Sequence, residues 1–105
     1  MVNFEFDKQN YTLTCFFSGR LDTQNSYEME SEIEKEIMEL MKDQNQPPMI
    51  IFDIGEVDYI ASAFIRICMK TIKHTGKDKF SIIHSIPMIK KTFKIAGLDS
   101  VLNVS

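Results

Sequence analysis

Glycine is scarce in this chain, four among 105 residues, and none stands in a GxGxxG run, a P-loop or a GxSxG elbow. That absence removes the usual backbone cradles for nucleotide phosphate and the usual mount for a nucleophilic serine. Cysteine is scarcer still. Cys15 and Cys68 lack CxxC or Cys/His ligand spacing, and each sits among apolar residues. Both are expected to be buried free thiols in a cytoplasmic protein. There is no basic excess, since the net charge is −3, so the positive footprint of a nucleic-acid binder is missing. No apolar run approaches the roughly 18–20 residues of a membrane span, and "MVNFEFDKQN" has neither the basic start nor the apolar middle of a signal peptide. Histidine occurs twice. His74 is expected in solvent at a helix end and His84 partly buried after a strand, and neither adjoins a serine–acid arrangement. Asp22, Asp53 and Asp58 show no ligand spacing. No metal, no cofactor and no catalytic residue is expected.

What is present suits a single domain over residues 1–105. Hydrophobic residues make up 44% of the chain, enough for one core without staples. "VNFEFD" alternates Val2, Phe4 and Phe6 with polar residues, and "YTLTCFF" alternates again after a "KQN" turn. The pair predicts an antiparallel hairpin. "RLDTQNSYEMESEIEKEIMELMKD" predicts a helix capped by Asp22 or Thr23, with Met29, Ile33, Ile37, Leu40 and Met41 in one stripe. Its six glutamates, Glu28 to Glu39, read as a solvated face. A loop is expected at 43–48, where Pro47-Pro48 forbids helix. "MIIFDI" predicts a buried central strand and "GEVDY" a turn. A second helix is expected over 62–73, with Ile65, Cys68, Met69 and Ile72 inward, Phe64 and Ile67 widening that face, and Gly76 closing it. "KFSIIH" predicts a strand, and "SIPMIKKTFKIAGL" a short helix capped by Ser85. That helix should turn Met88, Ile89, Phe93 and Ile95 or Ala96 inward and stop at Gly97. "DSVLNVS" can supply a last edge strand. Right-handed crossovers between these elements put most helices on one face of a mixed sheet. Most of the seven methionines are expected to fill the core.

Ser62 stands where the second helix begins. Its hydroxyl can cap an orphan N–H there. The same free N–H groups and positive dipole end favour a phosphate, so the residue can also be a switch.

Three segments in order, "FFSGRLDTQNS", "MIIFDIGEVDYIASAFIRI" and "IKKTFKIAGLDSVLNV", span most of the chain, and on them it resembles the STAS domain, the fold of bacterial anti-sigma factor antagonists. "FFSGRLDTQNS" is similar to the family segment ending Gly-x-Leu-Asp before the first long helix, with Gly19, Leu21 and Asp22 in place. "MIIFDIGEVDYIASAFIRI" resembles the family's strand, turn and second-helix start. "IKKTFKIAGLDSVLNV" resembles its closing helix and edge strand. The resemblance implies an α/β fold, a mixed sheet with helices mainly on one face. It implies a non-enzymatic interaction module that antagonises an anti-sigma factor of the serine-kinase type in transcription regulation. Ser62 matches the family's phosphorylated serine, restored by a phosphatase, and Asp22 the aspartate near it. Asp22, Thr23, Asp58, Ala61, Ser62, Ala63, Phe64 and Arg66 form the partner-binding set that follows. Ala61-Ser62-Ala63-Phe64 departs from the family's Asp-Ser-Ser-Gly. The other readings are a divergent STAS scaffold in a signalling or transport complex without phosphorylation, and a small-ligand sensor with a pocket between helix and sheet. A monomer or weak dimer is expected.

Overall fold

The computed structural model describes residues 1–42 and 44–105. β1 (Val2–Asp7) and β2 (Thr12–Leu21) form an antiparallel hairpin, with Phe4 opposite Cys15. Asp7 tightens the turn by accepting from the backbone of Gln9 and Asn10 and from the Asn10 side chain at 2.8–3.2 Å. α1 (Thr23–Met41) follows β2, then β3 (Met49–Ile60), α2 (Ser62–Thr75), a short 3-10 turn, β4 (Phe80–Ile83) and α3 (Pro87–Ile95). The sheet order is β1-β2-β3-β4, with β2, β3 and β4 parallel. Sequential parallel strands with right-handed crossovers deliver all the crossover helices to one side. The burial alternation agrees. Leu13, Cys15 and Phe17 of β2 and Ile50, Phe52 and Ile54 of β3 are buried beneath the helices, while Phe16 and Met49 point to the open face. The alternation of "VNFEFD" fades along the strand: Val2 is buried and Phe4 is half-buried against the core, but Phe6 lies at the uncovered end of the hairpin, against the edge of Tyr11.

Aromatic rings fill the middle of the core. Phe17 meets Phe52 and Phe64 edge-on at centroid distances of 4.9 and 5.1 Å, and Phe52 meets Phe80 at 5.0 Å. Cys15 and Cys68 are buried and unpaired, as their surroundings in sequence implied.

Several expectations are corrected. "GEVDY" does not turn: β3 runs through it to Ile60, because β2 continues alongside and pairs Gly19 with Val57 and Leu21 with Ile60. Bulges between Phe16 and Ser18 and between Gly19 and Arg20 keep the two strands in step, and Gly19 takes the left-handed φ of 81° that such an irregularity asks for. The buried face of α2 is centred on Phe64, Ile67, Cys68 and Thr71, leaving Ile65 and Met69 on its flanks. On α3 only Ile89 and Phe93 face inward, because a helix of nine residues covered on one side has one narrow buried stripe. Met88, Ile95 and Ala96 are exposed. Ser85 does not cap it; Ile86 holds the N-cap position without a side-chain bond. The last segment makes a single bridge, Ile82 to Val104, instead of a strand, since Asn103 takes a left-handed φ of 51° and turns its amide to the carbonyls of Lys77 and Phe80. Of the methionines only Met29 is buried in the core. Asp43 of the expected 43–48 loop lies outside the described residues.

Candidate functional site

The C-terminal ends of β2 and β3 stop together. Leu21 pairs with Ile60, and the Ala61 N–H donates to the Leu21 carbonyl at 2.9 Å. A helix begins two residues after the end of each strand, so the N-termini of α1 and α2 emerge side by side from one end of the sheet. Each end offers orphan N–H groups and the positive pole of a helix dipole.

The two ends are finished differently. At α1 the Asp22 carboxylate accepts from the Asn25 N–H at 2.9 Å, and the Ser26 hydroxyl donates to the Asp22 carbonyl at 2.6 Å. At α2 the N-cap position belongs to Ala61, which has no side chain able to cap. Ser62 is the first helical residue and is exposed. The sequence reading of Ser62 as a cap is therefore corrected: its backbone lies one residue too far into the helix for its hydroxyl to serve the orphan groups in that way.

Between the helix starts runs a narrow groove lined by Thr23, Ser26, Tyr27, Glu30, Ala63 and Arg66. Glu30 on its wall is held by Lys70 of α2 at 2.9 Å. Of the residues expected here, Thr23, Asp58, Ser62 and Arg66 are exposed, Asp22 and Ala61 are half-buried, and Ala63 is nearly covered. Phe64 does not belong to the surface. It is fully buried against Phe17 and Phe52, so the large ring that replaces the small family residue has turned into the core.

Two residues went unnoticed in the sequence. Tyr27 is 72% exposed on the groove wall. Its phase, off the Met29–Ile33–Ile37 stripe, was the available signal. Tyr59, 39% exposed near the end of β3, carries the Arg20 guanidinium 3.7 Å above its ring. Arg20 and Tyr59 are register partners across two strands, a pairing that depends on the bulges and is invisible in sequence.

His84 is exposed, not partly buried as its place after a strand implied. Its Nδ1 lies 3.1 Å from both carboxylate oxygens of Asp53, which also accepts the Gly55 N–H at 3.0 Å. Among the described residues no group of three His, Cys, Asp or Glu side chains is placed to hold a metal ion, and no helix is long and apolar enough to cross a membrane.

No protein-family model and no curated protein matches the chain. Solved structures do. An anti-sigma factor antagonist from Mycobacterium paratuberculosis superposes with a TM-score of 0.77 at 18% identity, covering 99% of this chain and 85% of that one. The Bacillus cell fate determinant SpoIIAA in its phosphorylated form gives 0.67 at 14% identity, over 100% and 91% of the two chains. The unphosphorylated anti-sigma factor antagonist SpoIIAA gives 0.66 at 13%, over 90% and 83%. The chain therefore has the STAS fold, the α/β architecture of the anti-sigma factor antagonists, with a mixed four-stranded sheet and three α-helices among the described residues.

Proposed function

We propose that this protein is a non-enzymatic interaction module that antagonises an anti-sigma factor and acts in the cytoplasm. Its contact surface is the corner built from the starts of α1 and α2. Its regulator is a serine kinase, the anti-sigma factor itself, that phosphorylates Ser62, and a phosphatase reverses the modification. The observation that carries this reading is the place of Ser62: an exposed hydroxyl, not used as a cap, at the first position of a helix beside a second helix start. It is supported by a fold shared with SpoIIAA, whose structure exists in phosphorylated and unphosphorylated forms.

The physical consequence of modification follows from charge. A phosphoserine adds about −1.5 to −2 charges at pH 7. Free N–H groups at the α2 start favour that charge, so the domain itself stays folded. A partner seated on Thr23, Ser62 and Arg66 meets instead a new anion beside Asp22 and Asp58, and is expelled by repulsion and by the cost of desolvating the phosphate.

Ala61 favours a second reading. It stands where the family resemblance places an acid beside the phosphoacceptor, and it leaves the helix end without a side-chain cap. On this reading the corner still binds a protein partner but is not phosphorylated. Incubation with candidate anti-sigma kinases and ATP, followed by intact mass and site mapping, decides between them. One added phosphate at Ser62, absent in Ser62→Ala, supports the switch. No modification by a kinase shown to bind leaves the second reading standing, and modification at Thr23 or Ser26 instead overturns the assignment of the switch to Ser62.

A further inference from the structure

The sheet ends differently at its two edges. Beside β4 the chain covers its own edge. The Ile82 N–H donates to the Asn103 carbonyl at 3.2 Å, the Ser105 N–H to the Ile82 carbonyl at 2.9 Å, and the Ser85 N–H to the Ser105 carbonyl at 3.0 Å. Beside β1 no described residue pairs with the outer side of the strand. The Ser18 N–H donates to the Met1 carbonyl at 3.1 Å, so Met1 and Ser18 are a hydrogen-bonded pair of the hairpin. Such pairs alternate along an antiparallel ladder. With Val2 opposite Phe17 and Asn3 opposite Phe16, the backbone groups of Asn3, Glu5 and Asp7 face β2. Those of Val2, Phe4 and Phe6 therefore face outward. Proline and bulges, which blunt a free edge, are absent from β1.

A groove runs along this edge. Val2, Asn3 and Phe4 form one wall, and Glu32, Lys35 and Glu36 of α1 form the other. Phe4 is half-buried and supplies apolar surface. Glu32 is exposed and Glu36 half-buried, and neither forms an ion pair among the described residues. On the opposite face of the strand Glu5 and Asp7 are exposed, across from Thr14 and Thr12. Lys8 and Lys35 offset only part of this charge. Free strand donors and acceptors beside a helix-walled groove are the geometry of β-strand addition. The acid selects the strand that is added. It also disfavours a second copy, since β1 paired with β1 would lay the Glu5 and Glu36 side chains of both copies along one seam.

We propose that the outer edge of β1 takes an extended, basic segment of a partner protein as an added strand. The backbone of that segment pairs with Val2, Phe4 and Phe6. Its alternate apolar side chains lie over Phe4 beside α1, and the basic ones between them lie along Glu5 and Asp7. Glu32 and Glu36 strengthen the attraction from the helix side. The edge shares no residue with the groove between Thr23 and Arg66, and the inference does not rest on the proposed antagonist role.

The probe is an acetylated and amidated heptapeptide that alternates lysine with valine, titrated into the isotope-labelled full chain in low salt. Amide shifts should move at Val2, Phe4 and Phe6 and from Glu32 to Glu36, and stay still at Thr23 and Ser62. A strand points alternate amides to opposite edges. N-methylation of one alternate set in the peptide should therefore abolish binding, and N-methylation of the other should spare it. The sensitive set is the valines for antiparallel addition and the lysines for parallel. Phe6→Pro should weaken binding at least about fivefold, because it removes one outward donor. It should keep the circular dichroism spectrum, because that N–H bonds nothing within the fold. Glu32→Gln combined with Glu36→Gln, which leaves β1 untouched, should weaken binding about threefold and reduce its salt dependence. The proposal is overturned if the peptide does not bind, if the shifts map elsewhere, if a folded Phe6→Pro variant binds as the unmodified chain does, or if the two methylated peptides bind alike. A dimer of the unmodified chain that Phe6→Pro disrupts would also overturn it, and assign the edge to a second copy.

Discussion

The Ala61 N–H donates to the Leu21 carbonyl at 2.9 Å, and this one bond brings Asp22 and Ser62 to a single corner. The two residues are forty positions apart in the chain. Parallel pairing of the last residues of β2 and β3 makes them neighbours, and it starts two helices with their positive poles side by side.

The two helix starts should respond differently to truncation. Asp22→Ala removes a real cap bond and should cost about 0.5–2 kcal/mol. Ser62→Ala removes an exposed hydroxyl that caps nothing and should stay within about 0.5 kcal/mol. Urea unfolding of both variants checks the contrast; equal losses would mean that Ser62 does cap α2.

Ser62→Asp should fold normally, since an acid in the first turn suits the dipole. On the proposed function it should bind the anti-sigma partner at least about tenfold less tightly, about 1.4 kcal/mol, while Ser62→Ala retains binding. Titration calorimetry with the identified partner reads both values.

Phe64→Ala should act on stability. The ring is fully buried between Phe17 and Phe52, and its removal should cost about 3–5 kcal/mol. Any loss of partner binding should appear only where the variant is partly unfolded. Tyr27→Ala and Arg66→Glu, by contrast, should each weaken binding about tenfold with unchanged unfolding midpoints. Full binding by both of those variants would move the contact surface elsewhere.

The two thiols should make the fold sensitive to alkali. Burial pushes both Cys15 and Cys68 well above the ordinary thiol range, Cys15 with help from the Glu36 charge. The unfolded thiols ionise first, so the unfolded state binds fewer protons as pH rises, and stability falls. The contribution is intact below about pH 8.5 and declines above it by up to about 1.4 kcal/mol per pH unit for each thiol. Unfolding midpoints compared between the unmodified chain and Cys15→Ala/Cys68→Ala from pH 7 to 10 should show the steeper fall only in the former. Native protein should also resist iodoacetamide until urea is added.

Much of the fold was legible because short-range periodicity reports burial directly. Alternation in "YTLTCFF" and the stripe Met29–Ile33–Ile37 each named their buried residues correctly. Gly76 and Gly97 closed their helices at φ 83° and 74°, conformations glycine adopts without the strain of a Cβ. "GEVDY" misled because its glycine and two acids are turn formers locally, whereas a neighbouring strand with free backbone groups was ready to pair with them.

The sequence by itself determined which residues carry apolar surface, where the second and third helices stop, and that a serine opens the second helix beside no nucleotide, metal or triad pattern. Those are properties of a residue and its near neighbours. Only the tertiary structure decided that Phe64 turns inward, that Tyr27 and Arg66 face one groove, that Arg20 covers Tyr59, and that Met38, Met88 and Ile95 stay outside. An apolar side chain on a helix is buried only if another element arrives to cover it. Which elements arrive is set by strand register and crossover direction, and these are fixed by pairing between segments far apart in the chain.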